Sequence, residues 1–283
     1  MKKAGWLAVA FALVLAFSAV ASADILDPFD NIASPPGTFA LGTYFSYQDW
    51  PDYDTNGETT TLDADVLAVL LRPIWFGPKI AGKVSWGLNA VIPVARIEAA
   101  GEETQAGLGD MVISPFIFLY ENEKSALYVS FWEFIYTPTG YYNENSPNTS
   151  PSLDAWQFQH QLALGWYPAP FGVDWTFNYW MREESNELNI DYQDALETDL
   201  ILHWTFDFGL TAGVMGSFWW DLDELKVDGT EVDDTKGHRY AAGLNVMYPL
   251  TDYLILSARW LNDFDVENHT KGNWVYMRAV FVF

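Results

Sequence analysis

Apolar and polar residues alternate with a period of two along most of this chain. The run from Trp274 to Phe283 shows it plainly: Val275, Met277, Ala279, Phe281 and Phe283 share one face, and Trp274, Tyr276 and Arg278 the other. Segments of the same kind recur at 38–50, 61–76, 80–98, 105–120, 125–139, 152–167, 171–185, 190–206, 209–223, 236–250, 253–267 and 270–283. Their connections alternate between short ones, such as Gly77-Pro78 and Pro168 to Pro170, and long ones, such as Thr139 to Pro151 and Leu222 to Thr235. Soluble strands average about five or six residues, whereas a strand needs ~9–11 merely to cross a bilayer. The pattern therefore predicts an all-β fold: a transmembrane antiparallel up-and-down β-barrel of about twelve strands, occupying 37–283. Both termini fall on the side of the short turns, the periplasmic side of such barrels.

The two ends agree with export. Lys2 and Lys3 precede an apolar stretch from Trp6 to Phe17, and Ala21-Ser22-Ala23 supplies a small-residue cleavage pattern. Residues 1–23 are thus expected to be a signal peptide, and 24–36 a short periplasmic segment. That segment is too short to suggest a plug, which leaves any gating to loops or inward side chains. No apolar run of helix-spanning length remains after Ala23. The terminal row suggests Phe281 and Phe283 as an assembly signal read by the barrel-assembly machinery.

Composition changes the picture in two ways. Aromatic residues make up 17% of the chain, a load that suits girdles at two membrane interfaces. The formal net charge is −24, which makes nucleic acid an implausible partner, since phosphate binding needs basic patches. The acidic stretch from Asp221 to Asp234 is read first as a solvated loop, or one bridged by divalent ions to anionic lipid, and second as a calcium site.

The row facing away from lipid would line the lumen. By parity it includes Tyr44 and Gln48 in the first segment, Asp63 and Asp65 in the second, then Asn89 and Asp110. Further along it takes in Gln157, Gln159 and Gln161, followed by Arg182, Glu197 and Asp199, and finally Arg239, Arg259 and Arg278. Charges there must sit in water or pair, so the four arginines are expected to meet Asp63, Asp65, Asp110, Glu197 and Asp199 across the interior.

Catalytic chemistry is thin. A lipid hydrolase needs a Ser with a His in hydrogen-bond reach and a group orienting that His. Of His160, His203, His238 and His269, only His203 lies in a polar row, and no Ser is near it in sequence. No metal-ligand spacing, phosphate loop or cofactor motif is present. The expectation is a non-enzyme without cofactors, with outer-membrane lipid and a small hydrophobic solute as partners. A structural or adhesive barrel, and less strongly an outer-membrane lipid-modifying enzyme, stay open as alternatives.

Several strings occur in order: Pro36-Gly37-Thr38-Phe39-Ala40-Leu41-Gly42, Leu62-Asp63-Ala64-Asp65-Val66, Arg72-Pro73-Ile74-Trp75, Gly107-Leu108-Gly109-Asp110 with Ser114-Pro115, and Tyr136-Thr137-Pro138-Thr139-Gly140-Tyr141. Together they resemble the outer-membrane protein family of the meta-pathway of phenol degradation, over residues 36–283. The resemblance implies a barrel channel in the Gram-negative outer membrane for aromatic or other small hydrophobic molecules. It carries no catalytic residues to transfer.

Overall fold

The computed structural model describes residues 26–283; the expected signal peptide lies outside the described residues. The wall is a closed antiparallel barrel. Its strands are β1 (Phe39–Thr55), β2 (Glu58–Phe76), β3 (Trp86–Ala99), β4 (Gln105–Leu108), β5 (Val112–Asn122), β6 (Leu127–Tyr136), β7 (Gln157–Trp166), β8 (Phe171–Arg182), β10 (Ala195–Thr205), β11 (Thr211–Asp221), β14 (His238–Thr251), β15 (Leu254–Glu267) and β16 (Thr270–Val282). Between them lie the short pieces β9 (Ile190–Asp191), β12 (Lys226–Val227) and β13 (Thr230–Glu231). Both β4 and β5 pair with β3, so they are two halves of one wall position, and the barrel has twelve. Closure is made by β16 on β1, from Ala40↔Val282 to Tyr53↔Thr270. At the seam the amide of Phe283 donates to Phe39 O (2.7 Å) and that of Phe39 to Phe283 O (3.2 Å).

The period-two sequence becomes a two-faced wall. In β7, Gln157, Gln159, Gln161 and Ala163 are buried while Leu162 and Trp166 are exposed. The outward rows end in aromatic belts. Trp75, Trp166, Trp204, Phe208, Tyr253 and Phe283 ring the end where β1 begins and β16 finishes, and Tyr47, Trp156, Trp260 and Phe264 lie toward the other. No helix among the described residues is long and apolar enough to cross a membrane; strands make the crossing.

The sequence-based strands differ from these mainly at their ends. Residues 80–85 form a turn, with one bridge between Ile80 and Val84, rather than the start of β3. The segment 105–120 is interrupted at Gly109 to Met111, where Asp110 turns its carboxylate to the loop beyond β6. β1 and β2 run for 17 and 19 residues, well past the length a bilayer needs. At the far end, β9, β12 and β13 form a small sheet over a second core of Leu153, Ala155, Ile190, Tyr192 and Leu225.

Candidate functional site

The interior has two unlike walls. From β1 to β6 the inner row is mainly apolar. Leu62, Ala64, Val66, Ala68 and Leu70 come from β2; Val91, Ala95 and Ile97 from β3; Phe116 and Phe118 from β5; Trp132, Phe134 and Tyr136 from β6. Phe116 and Trp132 stack with centroids 3.9 Å apart, and Phe134 continues the stack at 6.0 Å from Trp132. Offset stacking of this kind adds to the gain from burial itself. From β7 to β16 the inner row carries Gln157, Gln159, Gln161, Thr176, Asn178, Glu197, Asp199 and Asn245, with Arg239, Arg259 and Arg278.

The first described residues run into this interior. Arg278 holds Asp27 (Nε to Oδ2, 3.1 Å) and Asp30 (Nη1 to Oδ1, 2.6 Å). Arg259 Nη1 donates to Leu26 O at 2.6 Å. On the opposite side, the amide of Phe29 donates to Asp174 Oδ2 at 3.0 Å, and Asn31 Nδ2 to Leu164 O at 3.2 Å. Asp174 also accepts from Tyr167 and lies 3.2 Å from His203 Nε2, with both side chains fully buried. The Phe29 ring meets the His203 ring edge-on at 4.6 Å. Two glycines make room for His203: a Cβ on Gly172 would fall 2.1 Å from its ring, and one on Gly213 would fall 2.8 Å from its Cβ. Phe29 adopts φ 69°, a left-handed conformation unusual for a bulky residue, so surrounding contacts must hold it.

The far end is tied by its own carboxylates. Asp221 meets His269 at 3.0 Å and accepts from Trp219 Nε1 and the amide of Gly237. Asp223 accepts from the amide of Asp194, and Lys226 pairs with Asp191 at 3.2 Å. Partial burial opposes the charge on Glu224, but hydrogen bonds from Thr235 and the Lys236 amide hold its carboxyl below the usual range. The acidic loop is therefore built into a folded cap.

A family model for proteins described as "Putative MetA-pathway of phenol degradation" matches residues 49–279. The chain belongs to that family. No match is found among curated proteins. Among solved structures it is similar to an outer membrane channel from Pseudomonas putida F1: TM-score 0.83, 18% identity, covering 92% of this chain and all of that one. It is also similar to a variant of the monoaromatic hydrocarbon channel TodX, at TM-score 0.51 and 9% identity, covering 88% of this chain and 90% of that one. At these identities the likeness is one of fold, and the fold is that of an outer-membrane β-barrel.

Within this phenol-pathway family member, the residues expected at the lumen are distributed as follows. Tyr44, Gln48, Asn89, Gln157, Gln159, Gln161, Glu197, Asp199, Arg239, Arg259 and Arg278 are buried inside the barrel. Tyr44 and Asn89 accept from Arg72, a buried arginine that parity reasoning passed over. Gln159 accepts from Tyr136 at 2.8 Å, and Glu197 from Trp180 Nε1 at 2.8 Å. Asp63 and Asp65 require correction. The inward row of β2 is Leu62, Ala64 and Val66, so both carboxylates face outward, where Tyr47 donates to Asp65. They stand beside Asp49 on the overhanging ends of β1 and β2, beyond the lipid hydrocarbon, where an outward charge meets water.

The expected charge pairing is revised as well. Asp110 fastens a loop, accepting from Ser152 Oγ (2.6 Å) and the amides of Gly140 and Leu153 (3.0 Å each). Arg278 takes its carboxylates from the N-terminal segment. Arg182, Arg239 and Arg259 lie over the rings of Trp219 (4.9 Å), Trp274 (4.0 Å) and Tyr276 (4.1 Å). The segment expected in the periplasm thus packs inside the barrel from Leu26 to Asn31. Its sequence signal was Asp27-Pro28-Phe29-Asp30, two acids close behind the expected cleavage site and opposite an arginine-rich inner row. Phe281 and Phe283 face outward at the seam.

Proposed function

We propose that this protein is an outer-membrane channel for small hydrophobic, chiefly aromatic, compounds, and not an enzyme. The observation that carries the reading is the apolar inner wall of β1–β6. Water-filled outer-membrane barrels have polar interiors, and a row of Val, Ile, Leu and stacked Phe and Trp would disfavour a water column. A solute that can leave water gains from the same surface, at roughly 25 cal/mol for each Å² of apolar area buried. The family's phenol-pathway description and the fold shared with a monoaromatic hydrocarbon channel support the same solute class. Passage requires the N-terminal segment to move, because Leu26 to Asn31 lies in the path.

The enzymatic alternative loses support from the placement of His203. Its ring is enclosed by Phe29, Gly172 and Gly213 and directed at Asp174, which leaves no space for a serine nucleophile and an ester. Proteoliposomes should take up phenol or toluene faster than protein-free liposomes, with unchanged lipid composition. Equal uptake in both, including after deletion of residues 24–36, would favour a structural barrel. Lipid turnover lost on His203→Ala would favour the enzyme. Phe281 and Phe283 fit an assembly role, for which loss of Phe283 should lower the yield of heat-modifiable barrel.

A further inference from the structure

The lipid-facing side of the barrel is dented where it closes. A groove of ≈ 510 Å³ crosses β14, β15, β16 and β1 on the outside of the wall, toward the end where β1 begins and β16 finishes. We infer that this groove seats an acyl chain of an inner-leaflet phospholipid whose headgroup carries an ammonium, laid across the β1–β16 seam.

The groove follows from side-chain size. Thr43 on β1 stands opposite Ala279 on β16, and Met277 on β16 opposite Ala258 on β15. Thr43, Ala258 and Ala279 form a low floor, while the exposed side chains of Phe45, Met277 and Tyr248 stand around it. On β7, β8 and β10 the outward row in register is Leu164, Trp175 and Leu200, bulky at every position. Behind the floor, on the inner face, Arg278 Nε donates to Ser257 Oγ at 3.0 Å, so the dent opens outward.

Its depth in the membrane says what fills it. Thr43 lies four residues beyond Phe39 and Ala279 four before Phe283, inside the aromatic belt and within the hydrocarbon. An empty dent there forfeits dispersion contacts along its lining, and a flexible acyl chain can follow its shape. A second barrel fits poorly. An isologous contact sets the same patch against itself, and two concave surfaces face to face enclose a gap.

The headgroup is chosen at the rim. Lipid tails are as apolar as Leu, so the groove alone does not distinguish one phospholipid from another. The β10–β11 turn supplies Leu210 to the lining and exposes Asp207, and the β14–β15 turn exposes Asp252. A Cβ on Gly209 would lie 3.8 Å from the Tyr248 ring, which places the first turn against β14. Neither turn contains Lys, Arg or His. The lysines of the short turns, Lys79, Lys83 and Lys124, follow β2 and β5, and Lys79 is paired with Glu121 at 3.1 Å. Two carboxylates without a cation beside them favour the ammonium of phosphatidylethanolamine and repel the anionic phosphatidylglycerol.

The test starts from the full-length barrel in nanodiscs of equimolar phosphatidylethanolamine and phosphatidylglycerol. After release into mild detergent, native mass spectrometry reads the lipid retained. One lipid per monomer is expected, with phosphatidylethanolamine enriched about fivefold. Ala279→Phe and, as the milder change, Ala258→Leu should each abolish retention while the heat-modifiable gel shift stays intact. Asp207→Asn combined with Asp252→Asn should keep the lipid and bring the ratio close to one. Added phosphatidylethanolamine should raise the temperature of heat modification in the wild type and leave Ala258→Leu unmoved. No retained lipid, retention unchanged by Ala258→Leu, preference for phosphatidylglycerol, or a ratio unmoved by the aspartate changes would each overturn the seat. A dimer that Ala279→Phe or Ala258→Leu dissociates would overturn it in favour of a second copy.

Discussion

The β1–β6 wall and the β7–β16 wall share one backbone geometry and one period, yet their inner rows have opposite chemistry. On β2 the inward residues are Leu62, Ala64, Val66, Ala68 and Leu70; on β7 they are Gln157, Gln159 and Gln161. A barrel strand needs only its lipid-facing row to be apolar. The inner row is left free, and here one half serves a hydrophobic surface and the other a charged one. Alternation therefore reports that a strand has two faces; it does not say which face is which where both ends of the strand leave the hydrocarbon.

The contrast can be broken most severely on the polar wall. Arg278→Met leaves Asp27 and Asp30 without their cation inside the barrel, which should cost ~3–5 kcal/mol of stability. The same change should free the N-terminal segment and raise single-channel conductance. Denaturant titration and bilayer recording check the two effects, and unchanged conductance would mean that Arg278 does not hold the segment in place. On the apolar wall, Trp132→Ala removes the ring between Phe116 and Phe134 and should cost about 3 kcal/mol. It should also slow aromatic uptake in proteoliposomes while barely moving ionic conductance; the reverse pattern would exchange the roles of the two walls.

A smaller effect is expected at the cap. The Glu224 carboxyl titrates below its ordinary range, so its contribution is full above that range and is lost as pH falls through the depressed value. Proteolysis of the 222–236 loop should thus accelerate only as pH falls below the ordinary glutamate value of about 4.3, and Glu224→Gln should weaken that dependence. Asp65→Asn should do least, within about 0.5 kcal/mol and with no change in conductance, because Asp65 stands outside the barrel. A clear change of conductance in this variant would return Asp65 to the lumen.

Much of the architecture was legible beforehand, because a transmembrane strand must alternate for longer than a soluble strand does. The twelve wall positions, the order of short and long turns, and the inward rows of β7, β10, β15 and β16 all followed from that requirement. Asp63 and Asp65 were misplaced because their polar row was assigned to the lumen. On the overhang of β1 and β2 no lipid is present to enforce that assignment. Across the break at Asp110 the inward row changes parity, from Gln105 before it to Val112 and Ser114 after it, so a single period-two reading of 105–120 misses it. Its cause is a set of hydrogen bonds to Ser152, Gly140 and Leu153, 30 to 43 residues away in sequence.

The sequence by itself determined the barrel, its membrane and the face of most inward side chains, because these depend on a period and on hydrophobic transfer, both local properties of the chain. Tertiary structure alone decided the partners of the charges. Whether Arg278 would meet Asp199 or Asp27 depends on strand register and on a segment folding back into the lumen. Electrostatic partnership acts over a few ångströms between residues as many as 251 positions apart, and a pattern of period two carries no information at that range.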